Sequence, residues 1–101
     1  MLSTESQKII ESYFSRQPVK KAYIFGSFAR NEESEKSDVD ILVDLDYQNG
    51  ADFFKFLDMK EQLSLLLKKS VDLVSSNGLS RHIKPVIEKE MKLIYSKSND
   101  R

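Results

Sequence analysis

The stretch SDVDILVDLD, residues 37–46, alternates with a period of two. Successive side chains of an extended chain point to opposite faces, so Val39, Ile41, Val43 and Leu45 share one face while Asp38, Asp40, Leu42 and Asp44 share the other. Such a strand, Asp38 to Leu45, needs cover on its apolar face and water on its acidic one. In a chain of 101 residues there is room for one core, so the expectation is a single domain spanning 1–101.

The neighbouring segments fill in the layers. Ser3 or Thr4 can cap a helix from about Thr4 to Arg16, with Ile9, Ile10, Tyr13 and Phe14 at helical spacing and Pro18 as its stop. Val19 to Phe25 is too short for a helix and is bounded by Pro18 and Gly26, which predicts a buried strand. Phe28-Ala29-Arg30 reads as the first turn of a short helix entered through Gly26-Ser27. After a loop at Tyr47-Gln48-Asn49-Gly50 comes the longest helix, Asp52 to Lys69. Its apolar residues cover so much of the circumference that deep packing is expected, with contact to a partner chain as the alternative. A third strand, Val71 to Val74, a turn at Ser75–Gly78, a helix carrying Pro85 in its first turn and a final strand at Leu93-Ile94-Tyr95 complete the chain. Helices and strands alternating on this scale predict an α/β fold with a small mixed sheet of three to four strands.

Sixteen basic residues against sixteen acidic ones give zero formal charge, which lacks the electrostatic footprint of a protein that grips nucleic acid by its phosphates. The distribution is uneven. Residues 31–62 hold ten acids and three bases, whereas residues 79–101 hold six bases and three acids. An acidic middle suits divalent cations and a basic tail suits an acidic partner or bound phosphates, although solvated faces explain either. There is no cysteine, which removes thiolate chemistry and disulfides. The start MLSTESQKIIESYF lacks a basic region followed by a continuous apolar run, so neither a signal peptide nor a membrane span is expected, and the cytoplasm is the expected compartment.

Asp38 and Asp40 lie about 6–7 Å apart along a strand and can converge on one ion. Mg²⁺ takes one or two carboxylates and completes its shell with water and phosphate oxygens. Asp44, about 13 Å from Asp40 by the same rise, is too distant to share that ion, so Asp44 and Asp46 read as surface charge. Taken alone, DVD fits the wet side of a strand better than a metal site. Its surroundings change that. Gly26-Ser27 stands at a strand-to-helix turn, where free N–H groups favour an anion, and Arg30 adds a planar cationic fork. Asp72 interrupts the apolar run VDLV, which is costly unless the acid is paired, hydrated or metal-bound. Beside Asp38 and Asp40 it would complete a cluster able to hold two cations for in-line phosphoryl chemistry, or it could serve as general base.

Gly26-Ser27, ten residues, Asp38-Val39-Asp40 and then Asp72 resemble the motif set of the polymerase-beta-type nucleotidyltransferase superfamily. The short length and the run GSFAR...SDVDILV resemble its minimal nucleotidyltransferase branch, the MntA-like antitoxin proteins, over residues 19 to 95. The resemblance implies a nucleotidyltransferase core, two Mg²⁺ ions and a nucleoside triphosphate, ATP in the first instance. It makes Asp38, Asp40 and Asp72 the catalytic and metal-binding carboxylates and Gly26 and Ser27 the triphosphate cradle. Arg30 and Ser37 match the pattern less diagnostically as nucleotide-binding residues. It further implies transfer of AMP to a hydroxyl of a HEPN-type toxin, with a hetero-oligomer as the expected assembly; the neutral charge and the lack of an apolar span leave no role expected for nucleic acid or a membrane. Asn31 departs from the pattern, since many relatives have Gly after the Arg.

Other residues read as structural. His82 has no second histidine with which to build a zinc site and is expected in solvent or at a helix cap. Tyr13 and Tyr23 fit core faces, and Arg81 and Lys84 fit solvated positions. The competing function is a non-catalytic module that neutralises a partner protein by covering it. RNA ends and small antibiotics also offer acceptor hydroxyls, but small size and neutral charge count against the first and the absence of an added binding domain against the second.

Overall fold

The computed structural model describes residues 2–97. Elements follow in the order α1 (Thr4–Phe14), β1 (Val19–Phe25), α2 (Gly26–Ala29), β2 (Val39–Leu45), α3 (Phe53–Leu67), β3 (Val71–Ser75), α4 (Lys84–Glu90) and β4 (Lys92–Ser96), with 3-10 turns at Tyr47–Asn49 and Ser76–Gly78. The four strands form one sheet in the order β3-β2-β1-β4. β1 runs antiparallel to both β2 and β4, and β2 pairs parallel with β3. A parallel pair cannot be closed by a tight turn, and α3 supplies the crossover between β2 and β3.

The helix ends follow local chemistry. The Ser3 hydroxyl accepts from the Ser6 N–H at 3.1 Å to start α1, and the Asp52 carboxylate accepts from the Lys55 N–H at 2.8 Å to start α3; each satisfies a donor that the first turn leaves orphaned. α1 ends at Phe14 and not at Arg16, because beyond Ser15 the N–H groups turn to nearer carbonyls, Arg16 to Tyr13 O at 3.1 Å and Gln17 to Phe14 O at 3.0 Å, which tightens the chain out of the α-helix.

One face of the sheet carries the core. Ile10 and Phe14 from α1 and Met59 and Leu63 from α3 are fully buried with Val39, Ile41 and Val43 of β2. α1 also meets α3 through the Tyr13 hydroxyl, which donates to Gln62 Oε1, and it meets β4 through the Phe14 and Tyr95 rings, 6.0 Å apart. The register Ala22↔Val43 and Ile24↔Ile41 puts the apolar residues of β1 on this same face. The opposite face holds Asp40, Leu42 and Asp44, as the alternation requires.

Two sequence expectations are corrected. α3 is not deeply packed: Phe53, Phe54 and Leu65 are 67%, 75% and 72% exposed. Only one side of this helix meets the sheet, and no further layer among the described residues covers the other. Asp46 is not surface charge either, being only 4% exposed. Its Oδ2 accepts from Lys97 Nζ at 2.7 Å and from Asn49 Nδ2 at 2.5 Å, which ties the end of β2 to the residue after β4. Arg101, counted in the basic tail, lies outside the described residues.

Leu63→Ala should lower the unfolding free energy in urea by about 2–5 kcal/mol by opening a cavity, whereas Phe54→Ser should stay within about 0.5 kcal/mol; equal losses would refute this division of α3. The Lys97 and Asn49 hydrogen bonds hold Asp46 below its ordinary value of 3.8. Its stabilisation is therefore present above that value and lost as pH falls through the lower folded one. Asp46→Asn should depress the thermal midpoint at pH 7 by a margin that closes towards pH 2, and a margin independent of pH would contradict the assignment.

Candidate functional site

The sheet topology brings three separated segments to one end. β1 finishes at Phe25, opposite Asp40 of β2, so Gly26 emerges beside that carboxylate. β2 and β3 pair in register with Asp40 next to Asp72, and Asp38 precedes β2 on the same side. In this way Gly26, Asp38, Asp40 and Asp72, spread over 47 positions of sequence, become neighbours. Asp38 and Asp72 are exposed, Asp40 is half-buried and Gly26 is buried.

Gly26 is required on two grounds. Its φ is +72°, a left-handed conformation that costs an L-residue roughly 1–2 kcal/mol. A Cβ there would also collide with the Asp40 carboxylate. The tight turn continues through Arg30 N–H to Gly26 O at 3.1 Å and Glu32 N–H to Ser27 O at 2.9 Å. Asn31 lies within this turn at φ +59°. Asparagine is among the few residues other than glycine that visit this region readily, so the departure from Gly keeps the same backbone path.

Residues 7–100 match the family described as polymerase beta, nucleotidyltransferase. The chain belongs to this nucleotidyltransferase family. A candidate protein adenylyltransferase of Methanocaldococcus jannaschii, MJ0128, is 46% identical over 78 residues, 76% of each chain. The protein adenylyltransferase MntA of Thermococcus cleftensis is 38% identical over 73 residues, 72% of each. A solved candidate minimal nucleotidyltransferase superposes with a TM-score of 0.75 at 30% identity, covering 87% of this chain and 88% of its own. A toxin–antitoxin structure with AMP-PNP shares the fold, with a TM-score of 0.73 at 21% identity, covering 97% of this chain and 77% of its own.

In this nucleotidyltransferase the acids repel one another. Burial, reinforced by Asp72, Asp38 and Glu90 and only partly relieved by Arg30, pushes Asp40 up from 3.8 to about 6. A cation would offset that repulsion, and hard carboxylate oxygens at a half-open strand end suit Mg²⁺. Among the described residues no group of three or more acid, histidine or cysteine side chains is placed to hold a metal ion, so Asp38, Asp40 and Asp72 do not form a ready three-carboxylate cluster. Mg²⁺ does not need one, because it fills most of its shell with water and phosphate oxygens. The residues present therefore fit the ion.

The remaining residues divide. Arg30 stands beside the site, with its Nε donating to Glu32 Oε1 at 2.9 Å and its Nη1 to Glu90 Oε1 at 3.0 Å. Ser27 is half-buried in the turn. Ser37 is turned onto the connecting loop, where its Oγ accepts from the Ser34 N–H at 2.8 Å. His82, Arg81 and Lys84 are exposed. A groove of about 830 Å³ between α1 and β4, lined by Lys8, Ser12, Leu93 and Tyr95 among others, contains none of these carboxylates. Sequence reasoning missed Glu90, whose Oε2 accepts from the Gly26 N–H at 2.6 Å. It sits in a run of alternating charges, KPVIEKEMK, and no spacing rule marks it.

Gly26→Ala should cost about 2 kcal/mol or more in urea unfolding, part of it strain and part collision with Asp40. The loss should shrink in an Asp40→Ala background, where only the strain remains; strict additivity of the two substitutions would show that they do not touch.

Proposed function

We propose that this protein transfers AMP from ATP to a hydroxyl of a partner protein, and that the partner is a HEPN-type toxin which it neutralises in the cytoplasm. The observation that carries the reading is the in-register pairing of Asp40 with Asp72 beside Gly26. It sets carboxylates for a cation against backbone and side-chain donors for phosphate. The names of the relatives support protein as the acceptor class, since MntA of Thermococcus cleftensis is a protein adenylyltransferase. The fold shared with a toxin–antitoxin structure solved with AMP-PNP, and with one of an AMPylated HEPN toxin in complex with an MNT antitoxin, supports the nucleotide and the partner class.

Asp38 and Asp40 would hold Mg²⁺, with Asp72 as the third carboxylate. The bound ion supplies charge neutralisation on the triphosphate and Lewis acidity at the reacting phosphorus. The Gly26 N–H and the Ser27 hydroxyl hold phosphate oxygens, and Arg30 offers a planar fork to the same group. Asp72, exposed on β3, accepts the proton of the incoming hydroxyl. The acceptor oxygen bonds to the α-phosphorus as the bond to the bridging oxygen breaks, and pyrophosphate leaves in line. Ser37 contributes by folding the loop that leads into Asp38.

One observation favours a second reading. The exposed Phe53, Phe54 and Leu65 of α3 form an apolar surface on which direct contact alone could neutralise a partner. Incubation with labelled ATP, Mg²⁺ and a co-encoded HEPN-type partner separates the two. Asp38→Asn/Asp40→Asn should reduce label transfer at least about 100-fold while the partner still binds. Persistent labelling would remove the metal-ligand assignment, and full neutralisation by the same variant would favour direct contact.

A further inference from the structure

Glu90 has no part in the proposed transfer, yet it occupies the centre of its cradle. It is the last residue of α4, and its side chain is only 21% exposed. One carboxylate oxygen accepts from the Gly26 N–H at 2.6 Å, and Arg30 Nη1 donates to the two oxygens at 3.0 and 3.1 Å. These are charge-assisted hydrogen bonds from a main-chain donor and a guanidinium, the pair of donors that a phosphate would use. A carboxylate and two oxygens of a phosphate group present similar acceptors to them.

The position is electrostatically poor for an acid. Glu90 faces the half-buried Asp40 and is, with Asp72 and Asp38, one of the charges that disfavour ionisation of Asp40. Arg30 is shared with Glu32, so Glu90 does not hold it alone. A contact with strong donors on one side and like charge on the other can form when the cradle holds no ligand and can yield to a better anion.

We infer that Glu90 is an internal substitute for the nucleotide's phosphate, seated on Gly26 and Arg30 in the free protein and displaced when a triphosphate binds. The inference rests on the reading of Gly26 and Arg30 as the triphosphate cradle. Apparent affinity is then the intrinsic affinity reduced by the fraction of molecules in which the seat is open. Displacement frees Arg30 Nη1 for phosphate while its Nε remains on Glu32.

Calorimetric titration of the full chain with MgATP, and separately with Mg²⁺ and inorganic tripolyphosphate, tests this. Glu90→Gln should bind both about three- to tenfold more tightly than the unmodified protein, and Glu90→Ala at least as tightly, as expected when a competitor filling most molecules is removed. Glu88→Gln on the same helix changes charge equally without reaching the seat, and its affinity should stay within about twofold. In ¹⁵N-labelled protein the Gly26 amide resonance should shift in Glu90→Gln and shift on addition of MgATP to the unmodified protein. Unmodified protein that binds MgATP, with Glu90→Gln binding no better or more weakly, overturns this inference alone. Equal tightening by Glu88→Gln does the same, since bulk charge then explains the effect. Absence of MgATP binding in every folded variant overturns the cradle reading and this inference together.

Discussion

Backbone hydrogen bonds between β1 and β2 hold Phe25 opposite Asp40, and most of the molecule's organisation follows from that register. It places the chain reversal at Gly26 against a carboxylate and leaves no room for a side chain there. It also aligns Ala22 and Ile24 with Val43 and Ile41, so that α1 and α3 find one continuous apolar surface. A slip of one residue would turn Asp40 into the core and Ile41 into water. The hydrophobic face and the acidic face thus depend on the same ladder, and folding energy and site geometry cannot be varied separately along β2.

The parallel pairing of β2 with β3 adds the third acid at little cost. Asp72 lies on an outer strand and is exposed, so water replaces the partner that a central strand would have had to provide. Asp40 is less fortunate, with neighbouring acids and partial burial acting in the same direction. The acid whose ionisation its surroundings most oppose is thus also the most buried of the three, a combination that functional sites often share.

Much of this was legible in the sequence. The alternation from Val39 to Leu45 and the brackets Pro18 and Gly26 revealed the two central strands, and Asp52 announced the start of α3. The three acids could be grouped because strand spacing is regular and because the run from Gly26 to Asp40 resembles a known motif set. What stayed hidden depends on contacts between remote segments. Asp46 looked like surface charge because its partner, Lys97, lies 51 residues on, and Glu90 meets Gly26 across 64 residues. The exposure of Phe53, Phe54 and Leu65 was illegible for a different reason: helical periodicity reports how many apolar faces a helix has, not how many neighbours the fold supplies.

Asp72 has one more consequence. In the order β3-β2-β1-β4, β3 borders the sheet, with a row of backbone groups available to any extended chain that drifts alongside. A negative charge at the second of only five residues discourages such an addition, as charged residues on border strands commonly do. The same carboxylate therefore guards this border against pairing with another chain, a benefit that needs no bound ligand and that an apolar residue at this position would remove.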